Sequence, residues 1–264
     1  MYAPTINGFA DTAAAKASAL RRSPAGFFVG AMLAGTYIGI AMILALSTAA
    51  GLDPGVRPLV MGATFGIGLI LTLFAGAELF TGYVMYVGFG LMRRTVGWGD
   101  AAALLVVVWI GNLFGAWFLA ALYVAGGGGA VFANAANMFD AYAAHKVEAG
   151  AVALIAKAIL CNWLVCLGLW TAARVQSETA KCIVIAWSLL AFVAAGFEHS
   201  IANMTALTLG IFAPGSTVTV EAVARNLGLV TLGNMLGTLI FIVGAYGIAA
   251  KTDPDEPVRS TKPS

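Results

Sequence analysis

Long apolar runs dominate the chain. Six of them, over about 25–50, 60–91, 101–125, 149–172, 183–212 and 226–250, reach the roughly 20 residues that a helix needs to cross a bilayer. The second and fifth are too long for one simple crossing. Each carries the same interruption: Ala75-Gly76-Ala77-Glu78 and, 120 residues later, Ala195-Gly196-Phe197-Glu198. The pattern predicts two half-helices in each run, joined by a short non-helical stretch near 77–83 and near 197–204. Irregular backbone at that depth is tolerated only where it is buried in protein or lines a wet cavity. Glu78 and Glu198 are the only acidic residues inside the apolar runs. A carboxylate at membrane depth needs a partner or a functional reason.

The repeat continues past the carboxylates. Gly111-Asn112-Leu113-Phe114-Gly115 in the third run matches Gly233-Asn234-Met235-Leu236-Gly237 in the sixth, at an offset of 122. Small residues at this spacing are a common helix-packing device, but two motifs in the same order at nearly the same offset indicate duplication. With three spans per half, the second half enters the membrane from the opposite side. The halves, about 25–125 and 149–250, are therefore inverted repeats, with 126–148 as the joint.

Composition agrees with a polytopic membrane protein and leaves no soluble domain over. Charged residues make up 10% of the chain, against about 25% in a soluble domain. The net charge of +2 is too small to suggest nucleic acid as a partner. If the N-terminal segment 1–24 lies on one side, that side also holds 92–100, 173–182 and the tail from 251. It then carries ten Lys and Arg against three on the other, which predicts both termini in the cytoplasm. Residues 1–24 show no cleavable signal pattern, and 251–264 read as a disordered tail. Cys161, Cys166 and Cys182 lack metal-like spacing with histidine, and no metal or cofactor is expected.

His199, inside the second break, is the sharpest functional candidate. Imidazole changes charge near physiological pH and can offer a small anion a hydrogen bond or a proton. Thr81, in the first break, offers a hydroxyl toward the same midplane or caps the second half-helix. Half-helices that begin at the midplane point their positive ends inward, which suits an anion. Glu78 and Glu198 read as braces that accept backbone N–H groups at the breaks. Asn112 and Asn234 read as packing or bracing amides, with pore lining also open to Asn234. Lys157 either snorkels or pairs with a carboxylate. Lys146 either attracts anions at the outer mouth or is a solvated loop lysine.

These residues resemble the formate/nitrite transporter family. The resemblance rests on Phe197-Glu198-His199-Ser200-Ile201-Ala202-Asn203-Met204, on Glu78-Leu79-Phe80-Thr81-Gly82, on Cys161-Asn162-Trp163-Leu164-Val165-Cys166 and on both Gly-Asn motifs. It runs from about residue 5 to 250. The stretch from Leu52 to Ile67, which begins Leu52-Asp53-Pro54-Gly55-Val56-Arg57-Pro58, is most similar to the bacterial nitrite-channel branch. The resemblance implies an all-α, aquaporin-like protomer of six transmembrane helices, with the second and fifth broken. It implies a homopentamer in the bacterial inner membrane, with one pore per protomer. It places His199 and Thr81 at the pore centre, Phe65 and Phe192 at an outer constriction, and Leu69, Leu79, Phe80 and Val165 at an inner slit. Lys146 corresponds to the vestibule lysine. Asn162 and Asn234 correspond to pore-side polar residues, and Asn203 belongs to the signature. The implied substrate is nitrite, with formate or hydrosulfide as the alternative within the family.

Two other classes fit less well. A hydrolase built on Ser200 and His199 lacks a Gly-x-Ser-x-Gly elbow, so no enzyme is expected. A neutral-solute channel of the aquaporin type lacks the Asn-Pro-Ala pair, and neither break contains proline.

Overall fold

Two glycines in the left-handed region, Gly76 at φ 77° and Gly196 at φ 71°, end the first halves of the long runs. Each sits in a Schellman cap: the Ala77 N–H donates back to the Thr72 carbonyl at 2.9 Å, and the Phe197 N–H to the Phe192 carbonyl at 3.0 Å. The next residues, Glu78 and Glu198, donate their N–H groups sideways to the carbonyls of Gly30 and Lys157. Leu79 and His199 are extended, and helix resumes at Phe80 and at Ser200. The breaks are thus shorter and earlier than 77–83 and 197–204. The reason lies outside the breaks: the side-chain carbonyls of Asn112 and Asn234 accept the N–H groups of Phe80 and Ser200, both at 2.9 Å, and so start the helices there.

The computed structural model describes residues 1–128, 141–213 and 215–252. Among these residues the fold is all-helical: α1 (Ala3–Arg22), α2 (Pro24–Ala49), α3 (Arg57–Phe65), α4 (Ile67–Phe74), α5 (Phe80–Arg93), α6 (Trp98–Ala125), α7 (141–148), α8 (Ala151–Arg174), α9 (Glu178–Ala194), α10 (Ser200–Phe212) and α11 (Val220–Thr238). The last helix continues through a π turn, Leu239–Gly244, into α12 (Ala245–Ala249). Five helical stretches are long and apolar enough to cross a membrane. The fifth run is not among them, because its break leaves pieces of 17 and 13 residues. The chain is a multi-pass membrane protein. Most of the anticipated joint and tail, 129–140 and 253–264, lies outside the described residues.

The two halves pack by the same rule. In the first, α6 lies against α2; in the second, α11 lies against α8. A methyl group on Gly115 would collide with the Met32 carbonyl, and one on Gly237 with the Ile159 carbonyl. Gly111 and Gly233 make the equivalent approaches to Ala31 and Ala158. The repeated Gly-Asn motif is therefore a close-packing seam that also delivers its asparagine to the break.

Helix α1 lies across the end of the bundle. It buries Ile6, Phe9, Ala10, Ala13 and Ala17 on one face, chiefly against α5. Lys16, on the same helix, reaches back to the first break.

Candidate functional site

The two breaks meet at Thr81 and His199. Thr81 Oγ1 lies 3.3 Å from His199 Nε2, and both residues are buried. The other ring nitrogen, Nδ1, accepts the Ala202 N–H at 3.2 Å, so His199 is itself the N-cap of α10. A backbone N–H can only donate. Nδ1 is therefore unprotonated, and the ring proton is on Nε2, facing Thr81. That leaves the Thr81 hydroxyl hydrogen free for a further acceptor. Thr81 does not cap α5: the N-cap position is Leu79, whose side chain cannot accept, and Asn112 takes the Phe80 N–H instead.

Apolar side chains flank the pair. Phe65 and Phe192 pack edge to face with ring centres 5.6 Å apart, and Phe192 lies 5.9 Å from the His199 ring. They border a cavity of about 1000 Å³ on the α7 side, which extends down to His199. Leu69 and Leu79 border a much smaller cavity, about 130 Å³, on the α1 side. Phe80 and Val165 are buried and border neither of these two cavities.

Both carboxylates hold lysines rather than backbone groups. Glu198 Oε2 accepts from Lys146 Nζ at 2.8 Å and from Asn203 Nδ2 at 2.7 Å. Glu78 accepts from Lys16 Nζ at 2.6 and 2.8 Å and from the Tyr83 hydroxyl at 2.7 Å. Lys146 is almost fully buried and sits over the Tyr142 ring. Burial works against its charge, but Tyr142 and Glu198 outweigh burial and keep the ammonium protonated beyond the ordinary lysine range. Sequence reasoning misses the partners Lys16, Tyr83, Tyr142 and Asn226. One signal is available: Tyr83 and Asn203 each stand five residues after their carboxylate.

The amides are spent on the protein itself. Asn112 Nδ2 donates to the carbonyls of Ala31 and Glu78, and Asn234 Nδ2 to those of Ala158 and Glu198. Asn162 donates to the Asn234 and Thr81 carbonyls and to the Thr238 hydroxyl. None of the three borders either cavity. Asn203 does border the larger one and bridges Glu198 to Asn226, which in turn holds the Lys146 carbonyl. Among the described residues no three His, Cys, Asp or Glu side chains gather as a metal ion would require.

The formate/nitrite transporter profile matches residues 4–248. The chain belongs to that family. It is 42% identical to nitrite transporter NirC of Salmonella typhimurium, covering 100% of this chain and 98% of that protein. It is 44% identical to nitrite transporter NirC of Escherichia coli, covering 94% and 92%. Formate channel FocA of Escherichia coli is more distant, at 33% over 86% and 87%. Among solved structures, an FNT family ion channel superposes with a TM-score of 0.89 at 43% identity, covering 94% of this chain and 99% of that one. A pentameric formate channel with formate bound gives 0.75 at 28%, covering 88% and 99%.

Proposed function

We propose that each protomer conducts nitrite across the bacterial inner membrane, through a path from the α7-side cavity past Thr81 and His199 to the α1 side. The observation that carries this is the Thr81–His199 contact, one hydroxyl and one imidazole facing each other between apolar walls. A desolvated anion in a dry constriction pays a large penalty. The Nε2–H of His199 and the Thr81 hydroxyl are two donors placed to offset it, at the positive ends of two inward half-helices. Relatives at 42–44% identity that carry the name nitrite transporter support nitrite over formate.

The histidine serves here as a donor. To lend its proton it would have to gain another at Nδ1, and the Ala202 N–H occupies that nitrogen. The permeating species is therefore the anion, held by hydrogen bonds. Lys146 and Glu198 brace the second break, as Lys16 and Glu78 brace the first. The protomer assembles as a pentamer, in keeping with the pentameric neighbour. Both termini face the cytoplasm, as the ten-to-three bias of Lys and Arg indicates.

The test is reconstitution in liposomes, with nitrite, formate, nitrate and hydrosulfide fluxes compared across pH and a dye reporting protons. Nitrite is expected to move fastest and without stoichiometric protons. Replacing His199 with Ala should cut nitrite flux by about tenfold or more, the loss of one hydrogen bond to a charge. Equal nitrite and formate fluxes would remove the substrate assignment. One proton carried per nitrite, lost in His199→Asn, would replace donation by proton relay.

A further inference from the structure

The cavity on the α7 side is lined by three cationic side chains, Arg57, Lys146 and Lys157, and by one carboxylate, Glu198. Glu198 is already committed to Lys146 at 2.8 Å. Arg57 and Lys157 are half-buried, and neither forms an ion pair among the described residues. Among the described residues Arg57 uses only its Nε, which donates to the Leu52 carbonyl at 2.8 Å. The net positive charge of the cavity thus belongs to Arg57 and Lys157 and not to Lys146.

The internal repeat makes Lys157 the more telling of the two. Its carbonyl receives the Glu198 N–H, as the Gly30 carbonyl receives the Glu78 N–H. The two positions are therefore counterparts. At 30 the residue is glycine, and a methyl group there would lie 3.2 Å from Glu78 Cγ, which would have to give by a few tenths of an ångström. At 157 the backbone does the same work, and the residue that borders the cavity there is a lysine.

We infer that Lys157, with Arg57, forms a capture site for a small hydrated monoanion in this cavity, one step before Thr81 and His199. The inference rests on the proposed path for nitrite and adds a second station to it. At about 1000 Å³ the cavity admits an anion with its water, so charge rather than direct coordination does the holding. The site is one-sided, because its counterpart position at the other mouth is glycine.

The test is the half-saturating nitrite concentration for entry from the α7 face, in liposomes of known protein orientation, at ~20 mM and ~500 mM ionic strength. Lys157→Gln is expected to raise it about three- to tenfold at low salt. The difference should collapse at high salt, and Lys157→Arg should restore the original value. A purely structural role would not follow ionic strength in this way. If Lys157→Gln does not assemble, Lys157→Arg and Arg57→Gln carry the same comparison. Arg57→Gln should raise the half-saturating concentration and Lys157→Arg should not. Wild-type half-saturation and salt dependence in a transporting Lys157→Gln or Arg57→Gln protein would overturn the capture site and leave the proposed function intact. Absence of nitrite flux in the unmodified protein would overturn the nitrite assignment, and the same variants tested with the anion it does carry would then decide the capture site.

Discussion

The two nitrogens of His199 face different partners, and the difference defines the site. Nδ1 is held by the backbone of its own helix and Nε2 looks across to Thr81. Around them, three asparagines turn helix seams into loop supports. Asn112 and Asn234 each tie the non-helical linker to the start of the next half-helix, the side-chain nitrogen holding the Glu78 or Glu198 carbonyl and the oxygen the first helical N–H. Replacing either with Leu strands a buried N–H at Phe80 or Ser200. Each change should cost about 2–4 kcal/mol, read as an earlier thermal transition in detergent. Some of this is legible in the sequence. His199 and Thr81 stand at fixed distances from the two Gly-x-Glu breaks, and the asparagines repeat at nearly the same offset. The lysine partners are not legible, because Lys16 and Lys146 lie 62 and 52 residues from their carboxylates and outside the apolar runs. Spacing carries no signal for such a pair.

At the scale of elements, the seams between α2 and α6 and between α8 and α11 depend on the absence of side chains. Gly115→Ala and Gly237→Ala should each push two helices apart and cost about 1–3 kcal/mol or more. Gly8→Ala, inside α1 with nothing within 4 Å, should not lower the melting temperature and should raise it slightly, since alanine favours the helix by about 0.5–1 kcal/mol. Size-exclusion profiles before and after heating would distinguish the outcomes. The six apolar runs outline these helices well, because hydropathy reports length directly. The same pattern misplaces the ends of the breaks by several residues, because the caps that set them come from α6 and α11. The N-terminal segment, with Lys16, Arg21 and Arg22, reads as compatible with an amphipathic helix packed under the pore, and α1 is a helix against the bundle; that its chief partner is α5 depends on contacts no local pattern reports.

At the scale of the whole molecule, three crossings per half place the two breaks in opposite senses, and Ala3 and Lys251 on one side with Asp53 on the other. Single cysteines in place of Thr5, Asp53 and Lys251, in a chain whose native cysteines are replaced, test this. A membrane-impermeant maleimide should label position 53 in intact cells, and positions 5 and 251 only after permeabilisation. Labelling of all three in intact cells would contradict the arrangement.

The two cavities differ nearly eightfold in volume, about 1000 against 130 Å³. For an ion on the proposed path this difference becomes a question of where its water goes. Coming from the α7 side, it keeps its shell down to the rings of Phe65 and Phe192 and sheds it there, within sight of His199. Past Leu69 and Leu79 it meets a smaller chamber bordered by Lys16 of α1, with less room for that water. The two mouths of the proposed path thus differ in how much water they can hold beside the ion, the α7 mouth holding more.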